Sequence, residues 1–202
     1  MSDTKYCYPP SFAVLKNKLN IRDAHELDFF EREFVIQRIS EGVPDGNFDL
    51  VHLRAIHRHL FQDVYEWAGE IRTVEISKDG NQFQLHRYIE NGMADVHRRL
   101  VAANFLSGLS AAEFAHEAGK VLGDVNYVHP FREGNGRTQL LYLEQLAERA
   151  GHAIDLRRLD RDGWMHASRQ AHFGNYEPMG RCIAEAIDAS LDRSHDDQEH
   201  EL

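Results

Sequence analysis

The sequence predicts a mainly α-helical fold, a helical bundle carrying one β-hairpin, and three observations carry that expectation. Apolar residues recur every three to four positions in one stretch after another, as amphipathic helices require. Only one stretch, about residues 71–85, changes texture, around a tight-turn pair. The chain's 202 residues, 42% of them hydrophobic, suffice for one ordinary domain and fall short of two large ones.

The elements follow in order. Leu27, Phe30, Phe34 and Ile39 space a first helix between Asp23 and Glu41, broken by Gly42-Val43-Pro44-Asp45-Gly46. Leu50, Leu53, Ile56, Leu60, Val64 and Trp67 form a second stripe, with Asp49 as N-cap and Gly69 as stop. Both stripes read as core-facing. Ile71, Val74, Ile76, Phe83 and Leu85 then flank Lys78-Asp79-Gly80-Asn81, and Asp-Gly favours a two-residue hairpin turn. A lone hairpin is marginal in water, so it must lean on helices or on a partner chain. Ile89, Met93, Val96 and Leu100 mark a third helix, and Phe114, Val121 and Val125 a fourth, capped by Ser110. Leu140, Leu143, Leu146 and Ala150 mark a fifth that Gly151 ends; Trp164–Ala171 and Met179–Ala189 suggest two more. Residues 1–191 read as one domain, and 192–202, with five acids against one arginine, as a solvated, disordered tail.

Composition excludes several function classes. The net charge of −10 argues against a surface built to neutralise nucleic-acid phosphates. No apolar run approaches the ~20 residues that cross a bilayer, and Met1-Ser2-Asp3-Thr4-Lys5 lacks the apolar core of a signal peptide, so a soluble cytoplasmic protein is expected. Cys7 and Cys182 are too few and too distant for a disulfide framework or metal knuckle. His52, His57 and His59 miss the i, i+4 spacing of helical zinc pairs, His116-Glu117 runs on to Lys120 where a zinc protease needs histidine, and no GxxxxGK[S/T] loop occurs.

Chemistry concentrates in His129-Pro130-Phe131-Arg132-Glu133-Gly134-Asn135-Gly136-Arg137, between the fourth and fifth helices. Pro130 resists helix continuation, Gly134 and Gly136 permit close backbone approach, and Asn135 can donate an amide, so the run builds a loop entering a helix. Such a helix start offers unpaired N–H groups to an anion. Arg137 adds a cation suited to phosphate, and Glu133 can hold a hard cation such as Mg²⁺. A histidine, with a reference pKa of ~6.5, can take a proton from a hydroxyl. Together these groups describe phosphoryl or nucleotidyl transfer.

This run resembles the Fic family signature HPFx[D/E]GN[G/K]R at every fixed position. A chance match is on the order of 10⁻⁸ to 10⁻⁷, so the resemblance outweighs coincidence. Tyr65-Glu66-Trp67-Ala68-Gly69-Glu70-Ile71-Arg72 is similar to the family's WAGxxR segment before its flap, and Gly174-Asn175-Tyr176-Glu177-Pro178 to the turn before its last helix. The resemblance implies the Fic fold, with the flap beside the motif loop, and a protein adenylyltransferase that moves AMP from ATP to a Ser, Thr or Tyr hydroxyl of another protein. It implies that His129 is the base and Phe131 a buried anchor of the loop. Glu133 is implied to hold Mg²⁺, Gly134, Asn135 and Gly136 to form an anion hole, and Arg137 to contact the phosphates. It implies further that Ile76, Ser77, Lys78, Asp79, Gly80 and Asn81 clamp a target segment by strand addition.

Two departures bear on function. Family members that transfer AMP place a second arginine three residues after the first, and here that residue is Leu140, so a different nucleotide donor is the first alternative. The family's inhibitory [S/T]xxxE[G/N] motif has no match: Glu41-Gly42, Glu90-Asn91 and Glu133-Gly134 follow Gln37, His86 and His129. Inhibition by a separate small antitoxin carrying that motif on a helix is therefore expected, the chain being the toxin half of such a pair. A catalytically weakened binding module is the second alternative, and an effector delivered into a host cell the alternative to action at home.

Overall fold

A computed structural model describes residues 3–187; the acidic tail and the end of the last expected helix lie outside the described residues. Within them run α1 (Ala24–Ser40), α2 (Leu50–Phe61), β1 (Ser77–Lys78), β2 (Asn81–Gln82), α3 (Ile89–Ala102), α4 (Ala111–Val128), α5 (Asn135–Ala150), α6 (Arg161–His172) and α7 (Glu177–Ala186). Helix starts are set locally. Asp23, Asp49, Ser110 and Asp160 accept hydrogen bonds from the first-turn N–H groups of α1, α2, α4 and α6, and Ser110 with Glu113 closes a full capping box. Each such cap stabilises its helix by about 1 kcal/mol.

α4 is the central helix. Its Phe114, Ala118, Val121, Leu122, Val125 and Val128 are buried around most of its circumference, with α3, α5, α6 and α7 packed against it. α7 comes closest because glycine faces glycine: a Cβ on Gly119 would lie 2.7 Å from the Gly180 nitrogen. α2 packs on α5, and α1 packs on α2. Residues 3–20 close one side of the bundle. Tyr6 and Cys7 are buried there, and Lys18 N–H donates to the Val64 carbonyl.

Three elements differ from the sequence expectation. α1 buries Leu27, Glu31 and Val35, while Phe30 and Ile39 are exposed and Phe34 is half-buried. Apolar residues are spread around this helix, so their spacing does not choose a face; the packed row includes a carboxylate with partners inside the molecule. α2 stops at Phe61, six residues before Trp67, because the chain turns there and the Val64 and Tyr65 amides bond back to the Phe61 carbonyl. The hairpin is present and far shorter than 71–85. Ser77 pairs with Gln82 and Lys78 with Asn81 around Asp79 (φ 52°) and Gly80 (φ 82°), both left-handed as a type I′ turn requires.

Candidate active site

The motif loop begins where α4 ends, and the carbonyls of that end are all claimed. His129, in a left-handed conformation (φ 47°, ψ 64°), donates its N–H to the Val125 carbonyl. Gln84 N–H takes the Tyr127 carbonyl, the His129 ring takes the Asn126 carbonyl, and the Val128 carbonyl goes to Arg72. Its Nε donates to the His129 carbonyl (2.8 Å), its Nη2 to the Val128 and Gln84 carbonyls, its Nη1 to the Val74 carbonyl and its backbone N–H to the Pro130 carbonyl. Arg72 is 1% exposed. A buried guanidinium survives only with such a full complement of acceptors, and this one joins the flap's two arms to the end of α4. Arg72 stands in the Trp67–Arg72 segment, but the sequence assigned it no role.

The geometry fixes the protonation of His129. Its Nδ1 lies 3.1 Å from the Asn126 carbonyl, which can only accept, so Nδ1 carries the proton and Nε2 keeps its lone pair. Phe83 of the flap stacks on the ring, centroids 3.7 Å apart. Burial, with the Asn126 bond opposing it, pushes the imidazole pKa down to about 3. The imidazole is thus neutral throughout the physiological range, not divided between two forms as its reference value suggests.

The rest of the loop is held from inside. Phe131, 1% exposed, stacks on His57 at 3.9 Å. His57 accepts Gly69 N–H at Nδ1 and donates from Nε2 to the Glu133 carbonyl (2.9 Å). The sequence set His57 aside as a poor metal ligand; it is a neutral strut between the Trp67–Arg72 segment and the motif loop. Asn135 departs from its expected part in one respect. Its side chain accepts Phe131 N–H and donates one Nδ2 proton to the Phe131 carbonyl, so it braces the loop, and its backbone N–H is left for an anion. That N–H and those of Gly136 and Arg137 open α5, before the helix's first internal bond at Thr138. Gly134 (φ 81°) admits no side chain, since a Cβ would meet the Phe61 ring at 2.4 Å, whereas a Cβ on Gly136 would meet nothing within 4 Å.

His129 and residues 132–137 line a cavity of about 630 Å³, together with flap residues Ile76, Ser77, Lys78, Asp79 and Asn81 and one face of α6. That size suits a nucleotide-sized ligand. Gly80, at the turn, is outside the lining. Glu133 is half exposed; one carboxylate oxygen accepts Gly134 N–H (2.9 Å), leaving the other available to a cation. Arg137 reaches the cavity while pairing with Glu31 of α1 (2.5 Å). Leu140 packs against the core and also lines the cavity. Arg161 and Arg169 of α6 line it too. With Met165 and His172 they are spaced by three and four along one helical face, a pattern that pointed to a wall only once the cavity was known.

A family model described as the Fic/DOC family matches residues 47–147, which include the whole motif loop. The probable protein adenylyltransferase y4lH of Sinorhizobium fredii is 41% identical over 182 residues, covering 90% of this chain and 94% of the relative. The protein adenylyltransferase VbhT of Bartonella schoenbuchensis is 40% identical over 177 residues, 86% of this chain but 37% of that longer protein. Among solved structures, the N-terminal Fic domain of a VirB-translocated Bep effector from Bartonella quintana superposes with a TM-score of 0.84 at 30% identity, covering 98% of this chain and 97% of that one. BepC of Bartonella tribocorum, with bound AMPPNP, superposes with a TM-score of 0.83 at 28% identity over 93% and 98%. By motif, by fold and by a relative matched along nearly its full length, the chain belongs to the Fic/DOC family.

Proposed function

We infer that this chain is a protein adenylyltransferase, which moves AMP from ATP to a hydroxyl of another protein. The observation that carries the reading is His129, a histidine that lines a nucleotide-sized cavity beside the open N-terminus of α5, with Nδ1 tied to the Asn126 carbonyl so that Nε2 is the nitrogen left to accept a proton. A target hydroxyl gives its proton to Nε2 as its oxygen bonds to the α-phosphorus, the α–β phosphoanhydride bond breaks, and pyrophosphate leaves. The N–H groups of Asn135, Gly136 and Arg137 stabilise the charge on the α-phosphate. The names of the relatives carry the same activity, and the AMPPNP on BepC supports an adenine nucleotide as co-substrate.

Glu133 fits a Mg²⁺ role, because its free carboxylate oxygen is a hard donor at the cavity wall and phosphates can complete the shell. Bound there, Mg²⁺ neutralises phosphate charge. Glu133→Ala is expected to abolish the Mg²⁺ dependence of nucleotide binding in titrations with and without the metal; an unchanged dependence assigns the metal elsewhere. The flap supplies exposed strand edges at Ser77–Lys78 and Asn81–Gln82 for a target segment to pair with. A separate inhibitor bearing [S/T]xxxE[G/N] on a helix is the proposed regulator, and a pull-down from the native organism tests for it.

His129→Ala is expected to lower transfer by roughly 10²- to 10⁴-fold with the fold retained. Undiminished labelling of a lysate by this variant would overturn the mechanism. Leu140 favours a second reading, a donor that needs no arginine at its terminal phosphate. Incubation with Mg²⁺ and isotopically labelled ATP, GTP, UTP or CTP in turn, read by mass spectrometry, decides the donor and names the target peptide.

A further inference from the structure

Arg137 is the motif's phosphate cation; Glu133 of the motif stands 3.9 Å from its Nη2, but its close partner lies outside the motif. On α1, Glu31 is 6% exposed, a burial that carboxylates tolerate only when paired. It has two partners. Arg137 Nη2 donates to one carboxylate oxygen at 2.5 Å, and the Tyr65 hydroxyl donates to the other. Tyr65 is itself fixed, buried at 2% exposure and stacked on Trp67 with centroids 4.3 Å apart. The Phe61 ring lies against the guanidinium, 4.7 Å from its carbon. Glu31 does not line the cavity, whereas Arg137 does. The carboxylate is therefore behind the guanidinium as seen from a bound phosphate.

We propose that Glu31, backed by Tyr65, is a positioning residue for nucleotide transfer, holding Arg137 so that its remaining N–H donors face the phosphates. The proposal rests on the reading of Arg137 as a phosphate contact. An arginine has five N–H donors in a rigid fork; Glu31 engages one end, and the others stay free for a phosphate. Rotamer freedom that an exposed arginine would lose on binding nucleotide is here already lost on folding. With leucine at position 140, no neighbouring arginine on α5 could compensate for a wandering Arg137.

A double-mutant cycle tests this, with the affinity for AMPPNP and Mg²⁺ measured by calorimetry and KM and kcat for ATP measured on the target. Glu31→Gln keeps the side chain's shape and removes its charge. It is expected to weaken AMPPNP binding about tenfold and raise KM for ATP by a similar factor, with a smaller change in kcat. In an Arg137→Ala background the same substitution should change neither. Tyr65→Phe, which preserves the packing, should weaken binding two- to threefold in the wild-type background and not in Arg137→Ala, and it serves as the test should Glu31→Gln fail to fold. Equal losses in both backgrounds would show Glu31 to be merely structural. Tighter binding in Glu31→Gln would show it to compete with phosphate for Arg137. Either result overturns the proposal. If Arg137→Ala alone leaves AMPPNP affinity unchanged, the phosphate role of Arg137 fails, and the positioning proposal fails with it; the single variant thus separates that case from the other two.

Discussion

Leu140 sits one helical turn beyond Arg137 on α5 and lines the cavity while packing against the core, so its position serves the fold and leaves the site short of one cation. An arginine there would reach toward a terminal phosphate, a charge-assisted contact worth about 1.5 to 3 kcal/mol. Leu140→Arg is accordingly expected to raise kcat/KM for ATP by about one to two decades, read in a transfer assay on the labelled target. No gain with ATP, alongside efficient transfer from a nucleotide without a γ-phosphate, would move the assignment to another donor. At this scale the motif's residue types were fully legible, because nine consecutive residues carried base, carboxylate, glycines and arginine. Their supports were not. Glu31 reads as one more acid on a helix, His57 as a poor metal ligand and Arg72 as the end of the Trp67–Arg72 segment with no role of its own, since burial and partners 56 to 106 residues away decide what each does.

Among the elements, helix periods and caps were legible because both are local: Asp49 and Ser110 cap α2 and α4 as their side-chain chemistry dictates, and Asp79-Gly80 makes the expected turn. The face that α1 presents was not legible. Phe29 and Ile36 stand 59% and 63% exposed, while the buried row is organised around Glu31, so tertiary partners override hydrophobic spacing. The close approach of α4 and α7 was equally hidden, because a glycine inside a helix reads only as a mild penalty. Its role is steric. A methyl on Gly119 would come within 2.9 Å of both backbone N and Cα of Gly180, which cannot swing aside as a flexible side chain would. Gly119→Ala should therefore destabilise the protein by about 1 to 3 kcal/mol despite alanine's better helix propensity, measured as a lower urea midpoint with the slope unchanged. A stabilised variant would mean that α7 is free to move away from α4.

For the whole molecule, the site's histidines couple catalytic geometry to stability in acid. Burial pushes His57 down to about 3, and because its two ring nitrogens serve Gly69 N–H and the Glu133 carbonyl, protonation would break the first of these bonds. In the unfolded chain the same imidazole titrates near ~6.5. Between those values the unfolded state binds the extra proton, so stability is fully present above about pH 6.5 and falls as pH drops toward 3. Over the step from pH 7.5 to 5, His57 alone should remove about 2 kcal/mol, at ~1.4 kcal/mol per unit below 6.5. His129, pushed down by burial in the same way, adds a loss of the same sign. Asp63, whose carboxyl the Arg38 guanidinium holds below the usual range, titrates under that window, while Glu144, pushed up by burial and by Glu148, acts in the opposite sense. A comparison that keeps both carboxylates isolates the histidine. Glutamine can accept at one end and donate at the other without titrating, so His57→Gln should show a pH 7.5-to-5 drop in unfolding free energy about 2 kcal/mol smaller than wild type in urea titrations. Identical drops in the two proteins would mean that His57 protonates within the folded state, and the strut under the motif loop would have to open in mild acid.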